Sequence, residues 1–220
     1  AAKGRVGYSL GLLQCGLTVG YMLAALTTTI IAHFFTQAEI NDWAWRILFI
    51  LGGVFGFIAL WLRKLLKETP VFIELQKNKA LYEKMPVREI LSKYKKSTIP
   101  AIVLTVLLSI PVLNLVVVAP IAMQQIYQID PSTTFRITFV GIIFMNTGCV
   151  IAGYIADKMQ PWKTIALYAF LLGVGLTCLY TAINQNTSTI AIAYIIAGLC
   201  SGIIGAAPNI IVRLFPAQLK

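Results

Sequence analysis

The sequence predicts an all-α membrane protein with six transmembrane helices, and three observations carry that prediction. Apolar residues make up 58% of the chain and charged residues only 12%, against about 45–50% and about 25% in soluble domains. Six long apolar runs are separated by polar connections, as expected of spans that need about 20 residues to cross a hydrocarbon layer. Basic residues crowd the ends of these runs instead of forming a face. Sixteen of the 18 Lys and Arg fall in alternate connections, and only Arg46 and Arg136 lie on the other side. That bias is the positive-inside pattern, so both ends of the chain and its long polar passage are expected in the cytoplasm. A formal charge of +10 then reflects orientation, with no nucleic-acid partner implied.

A short lead with Lys3 and Arg5 precedes the first span, expected over about 7–35. Gly7, Gly11, Gly16 and Gly20 give it two small-x-x-x-small pairs, which let a neighbouring helix approach closely where lipid supplies no hydrophobic driving force. Residues 36–46 read as a turn, with Trp43 and Trp45 suited to the headgroup belt. The second span follows over about 47–62.

The stretch from Arg63 to Lys96 is the one long polar passage. Thr69-Pro70 resembles an N-cap followed by proline at the first helical position, where its missing N–H costs nothing. After Pro86, Val87, Ile90, Leu91 and Tyr94 follow the spacing of an amphipathic face, with Glu89 and Lys93 paired on the other side. Such helices lie on a membrane surface or against the ends of spans.

The third span, about 98–127, contains Pro100, Pro111 and Pro120 and is expected to bend, because proline removes a helical hydrogen bond. The fourth is expected over 135–156, the fifth over about 164–183 and the sixth over about 189–212. Two spans before the polar passage and four after it, in a chain opening Ala-Ala-Lys-Gly, read as an excerpt of a longer protein. Cys15, Cys149, Cys178 and Cys200 all sit inside apolar runs without metal-ligand spacing, as small packing residues do.

Polar side chains inside spans must face other helices or a water-filled cavity, since burying an amide in hydrocarbon without partners costs several kcal/mol. The first span holds Gln14, Thr18 and a Thr27-Thr28-Thr29 run, the third Asn114, Gln124 and Gln125, the fourth Asn146, and the sixth Ser201 and Asn209. Of these, Gln14, Asn114, Gln124, Asn146 and Asn209 are the candidates for a polar lining. The second and fifth spans carry no Asn, Gln or charged residue in their interiors and are expected at the periphery. A solute pathway explains this recurrence better than an anchor or a membrane-embedded scaffold subunit does. The sequence contains no metal-ligand cluster, no nucleophile–base constellation and no phosphate-cradling glycine loop, so neither a cofactor nor catalysis is expected.

Two spans, a cytoplasmic passage opening on Glu68-Thr-Pro-Val-Phe72, two more spans and a turn with Gly153-x-x-x-Asp157-Lys158 resemble the major facilitator superfamily. Lys3-Gly4-Arg5, Trp45-Arg46 and Leu214-Phe215-Pro216 resemble more narrowly its metabolite:proton symporters, the group of proline/betaine, α-ketoglutarate, citrate and shikimate transporters. The resemblance implies part of a twelve-helix fold. Residues 1–62 would be the last two helices of the N-terminal half, 63–97 the linker between halves, and 98–220 the first four helices of the C-terminal half. It also implies alternating-access symport of a small organic acid or zwitterionic osmolyte with protons across the cytoplasmic membrane. A facilitator of the same superfamily for sugars or drugs is the nearer alternative. Under the resemblance, Asp157 and Lys158 belong to an inner gate, and Pro111 and Pro120 let the third span bend at an outer one. The family pattern continues after its eighth helix with a glycine and paired basic residues, whereas Gln160, Pro161 and Trp162 stand here.

Overall fold

The computed structural model describes residues 6–65 and 95–214. The helices expected after Thr69 and Pro86 lie outside the described residues. Those described are almost wholly helical: α1 (Val6–Phe34), α2 (Gln37–Glu39), α3 (Trp45–Leu65), α4 (Lys95–Val112), α5 (Ala119–Gln125), α6 (Pro131–Lys158), α7 (Pro161–Ala182), α8 (Thr187–Cys200) and α9 (Ile203–Leu214). They assemble into six membrane-length spans, because α2 with α3, α4 with α5, and α8 with α9 run on from one another.

Residues 37–46, expected as a turn, are helical instead. A capping box explains the early start. Thr36 Oγ1 accepts from the Glu39 N–H, the Glu39 carboxylate accepts from the Thr36 N–H at 2.8 Å, and orphan first-turn donors are thereby satisfied. A π-helical segment, Ile40–Ala44, then joins α2 to α3. At the start of α6, Asp130 acts as N-cap with Pro131 in the first turn, so that helix begins four residues before the expected boundary.

α6 is the centre of the bundle, packed against α1 and α8, while α9 touches both α6 and α1. Small residues set both contacts. A Cβ at Gly7 would lie 2.5 Å from the Gly153 carbonyl oxygen, and one at Gly11 2.8 Å from that of Cys149, so α1 and α6 touch backbone to backbone. On the other face a Cβ at Gly198 would lie 2.5 Å from the Gly141 carbonyl oxygen. Met145, Cys149, Tyr194, Ile203 and Ile204 fill the core between these contacts, all fully buried. The other predicted glycine pair, Gly16 and Gly20, meets nothing within 4 Å. It floors an apolar cleft of about 790 Å³ facing Gly52 and Phe55 of α3, a helix with no buried residue.

The sixth span is interrupted. Ser201 and Gly202 form a turn between α8 and α9, and Ser201 Oγ donates to the Ala197 carbonyl at 2.7 Å, a local bond that competes with helix continuation. The third span, expected to bend at its prolines, carries a π-helical segment, Leu113–Val118, between α4 and α5.

Candidate functional site

Two polar clusters couple separate elements, and both arise from backbone groups the helices cannot satisfy alone. The first lies at the start of α1. The leading N–H groups of any helix lack intrahelical partners and carry partial positive charge. Here the Gly7 N–H donates to Asp157 Oδ1 at 2.6 Å and the Tyr8 N–H to Oδ2 at 2.8 Å. The cap therefore comes from the end of α6, 150 residues along the chain. Its approach depends on Gly7, where a Cβ would lie 2.8 Å from Asp157 Oδ1. Asn209, fully buried on α9, closes the cluster, with Nδ2 3.1 Å from the same hypothetical Cβ. Lys158 turns away, its Nζ 4.5 Å from the Tyr154 ring centroid.

Along the same α1–α6 seam, Thr18 donates its hydroxyl to Asn146 Oδ1, and the Cys15 thiol donates to the Asn146 carbonyl at 3.2 Å. Asn146 Nδ2 donates in turn to the Ile142 carbonyl at 3.0 Å. Gln14, half-buried, precedes Cys15 on this helix.

The second cluster surrounds the π segment. The Ala119 N–H donates to the Asn114 carbonyl, five residues back, so it is not available to Leu115. The next residue that could serve Leu115 in π register is Pro120, which has no N–H. The buried Leu115 carbonyl is thus orphaned by its own helix, and Tyr194 of α8 donates its hydroxyl to it. Asn114 Nδ2 donates to the Ile110 carbonyl at 2.9 Å, while its Oδ1 accepts from the Tyr180 hydroxyl of α7 at 2.9 Å. Pro111 and Pro120, both buried, bracket the segment. Gln124 stands apart, half-buried at the end of the bundle away from Asp157, where it lines a cavity with Gln125, Gln128 and Asp130.

The structure thus distributes the five candidate lining residues: Gln14 lies on α1 next to Cys15, Asn146 on the α1–α6 seam, Asn209 beside Asp157, Asn114 against α7, and Gln124 at the far end. Of the partners, Thr18 was among the polar residues marked from sequence, whereas Tyr180 and Tyr194 were not. A hydroxyl within a span gives little signal, since it can always return to its own helix, as Thr28 does to Ala24. Asp130-Pro131 could have been found, because that dipeptide is a helix-start signature.

Six membrane-length helices packed through small residues, with polar couplings between distant segments, define a multi-pass membrane protein. The family model "Major Facilitator Superfamily" matches residues 1–220, and the chain belongs to that family. Its relatives include a Staphylococcus haemolyticus protein provisionally named a proline/betaine transporter, 28% identical over 85% of this chain and 39% of that protein. Another is the proline/betaine transporter of Escherichia coli, 24% identical over 94% of this chain and 44% of that protein. The alpha-ketoglutarate permease of E. coli is 39% identical over 31% of this chain and 16% of that protein. The chain spans less than half the length of these relatives. No solved structure matches. The family and these names are those of solute transporters, pointing away from an enzyme.

Proposed function

We propose that this chain is the central part of a secondary active transporter, helices five to ten of twelve, that carries a small organic acid or zwitterionic osmolyte with protons across the cytoplasmic membrane. α1 and α3 would close the N-terminal half, residues 63–97 bridge the halves in the cytoplasm, and α4 to α9 open the C-terminal half. Lipid, the remaining helices of the same protein, the solute and protons would be its partners.

The observation that carries this reading is the cap of Asp157 on the first turn of α1. In the proposed division it joins one half to the other at the cytoplasmic end, through bonds that parting water can replace. Alternating access needs contacts of this kind. They must hold one end shut yet cost little to exchange for hydration, and an N-terminal helix turn facing a carboxylate satisfies both conditions. Asp157 is only partly buried, so both partners rehydrate as the seam opens. Tight packing at Gly7 and Gly153 makes the contact sensitive to position. Gln14, Asn114, Gln124, Asn146 and Asn209 would supply polar surface along the pathway, with the π segment between Pro111 and Pro120 as the bend at the outer end.

The test is uptake by the complete transporter in proteoliposomes, comparing a zwitterionic osmolyte, a dicarboxylate and a sugar with and without an imposed proton gradient. Gradient-dependent accumulation of either of the first two is expected. Gradient-independent equilibration of the sugar alone would favour the facilitator reading, and no uptake of any solute would overturn transport.

A further inference from the structure

We infer that the cavity at the far end of α1, framed by Phe35, Gln124, Gln128 and Asp130, is a reception site for the ammonium group of a small organic cation or zwitterion. The inference takes from the proposed function only that small solutes arrive at this end of the bundle. The cavity measures about 500 Å³, within the range of small-molecule sites. It forms where the end of α1 and the start of α2 face the connection between α5 and α6.

Three features of its lining agree on the ligand. Asp130 is the one charged residue in that lining, and no basic side chain shares it. Its Oδ2 caps α6 through the Thr133 N–H at 3.1 Å, which leaves Oδ1 to take a cation. Phe35 supplies an aromatic ring, steadied by an edge contact to Trp43 with centroids 5.2 Å apart. Rings attract organic ammonium groups through their quadrupole, and they favour weakly hydrated cations over small inorganic ones. Gln37, Gln124, Gln125 and Gln128 contribute amides, able to accept from ammonium N–H groups or to donate to the carboxylate end of a zwitterion.

The connection that aims Asp130 is itself constrained. Gln128 has φ 53°, the one positive-φ residue other than glycine among the described residues, and its Nε2 donates to the Gln125 carbonyl at 2.8 Å. Left-handed backbone at a residue other than glycine is held only where its surroundings over-determine it. This site is separate from the Asn146 and Asn114 amides, whose side chains are engaged within the bundle. With no basic side chain in the lining to offset Asp130, the cavity favours a cationic group over a free organic anion.

The test is an equilibrium titration of the complete protein in nanodiscs with tetramethylammonium chloride, read as the Trp fluorescence that Trp43→Phe removes. A saturable change is expected, weakened at least tenfold by Asp130→Asn and severalfold by Phe35→Leu. Sodium chloride at matched ionic strength and sodium acetate should produce none. Asparagine is as good an N-cap as aspartate, so Asp130→Asn keeps the start of α6. Wild-type affinity in both variants would overturn the inference, as would equal displacement by sodium. Because the reading needs no turnover, a protein that binds tetramethylammonium but moves no solute would uphold this site while defeating the proposed transport.

Discussion

The hydroxyl of Tyr194 donates to the main-chain carbonyl of Leu115, and it supplies the bond that Pro120 makes impossible. The pairing joins α8 to the π segment of the third span at a place where both residues are fully buried. Tyr194→Phe keeps the ring against Gly141 and removes only the donor, leaving a buried carbonyl unsatisfied. The expected loss is about 1–3 kcal/mol. It should appear as a lower melting temperature in detergent and faster amide exchange across residues 113–118, whereas Tyr180→Phe, at a half-exposed site, should cost less.

Asp157→Ala removes two charge-assisted bonds from the first turn of α1. Bonds to charged groups contribute about 1.5–3 kcal/mol each when buried and less at a partly exposed site. A net loss of about 1.4 kcal/mol would raise the open population at that end roughly tenfold. Maleimide labelling of Cys149, fully buried between α1 and α6, should accelerate by about that factor. Asp157→Asn, which keeps one oxygen acceptor, should fall between the two.

The glycines of α1 divide into two groups, and alanine substitution should separate them. Gly7→Ala places a methyl 2.5 Å from the Gly153 carbonyl oxygen, contact that only helix displacement can relieve. Gly16→Ala meets nothing within 4 Å and replaces a poor helix former with the best one. The expected outcome is a stability loss of about 1–3 kcal/mol for Gly7→Ala. Gly16→Ala should be neutral or up to about 1 kcal/mol stabilising, both read from thermal denaturation of the purified protein.

Thr36→Ala deletes the N-cap of α2 and half of the reciprocal bond with Glu39. A cap of this type contributes about 1 kcal/mol. The effect should be confined to residues 37–44, visible as local loss of amide protection with the global melting temperature little changed.

Hydropathy made the six spans legible, because crossing a membrane imposes a length and composition that no turn can imitate. Gly7 and Gly11 were readable as a packing face for the same reason. The π segment was not. Pro111 and Pro120 announced a disruption of the helix, but not a π segment whose orphaned Leu115 carbonyl is taken by a partner 79 residues away. The break at Ser201–Gly202 was likewise hidden, since an apolar run stays apolar whether its helix is continuous or interrupted. Tyr180 shows the limit of sorting spans by amide content. It lies in the fifth span, expected at the periphery, yet it takes the Asn114 side chain. Asp157 was marked only through family resemblance. Nothing within residues 6–10 indicates that the start of α1 is capped from outside.

The bond between Asp157 and α1 also has an evolutionary signature of its own. Its donors are main-chain N–H groups, which every residue except proline possesses, so the identity of residue 8 is free to drift without loosening the contact. Residue 7 is limited by bulk alone. Pairwise covariation would therefore pass over this contact, and a substitution scan would register it as intolerance at Asp157 and Gly7 beside a permissive Tyr8.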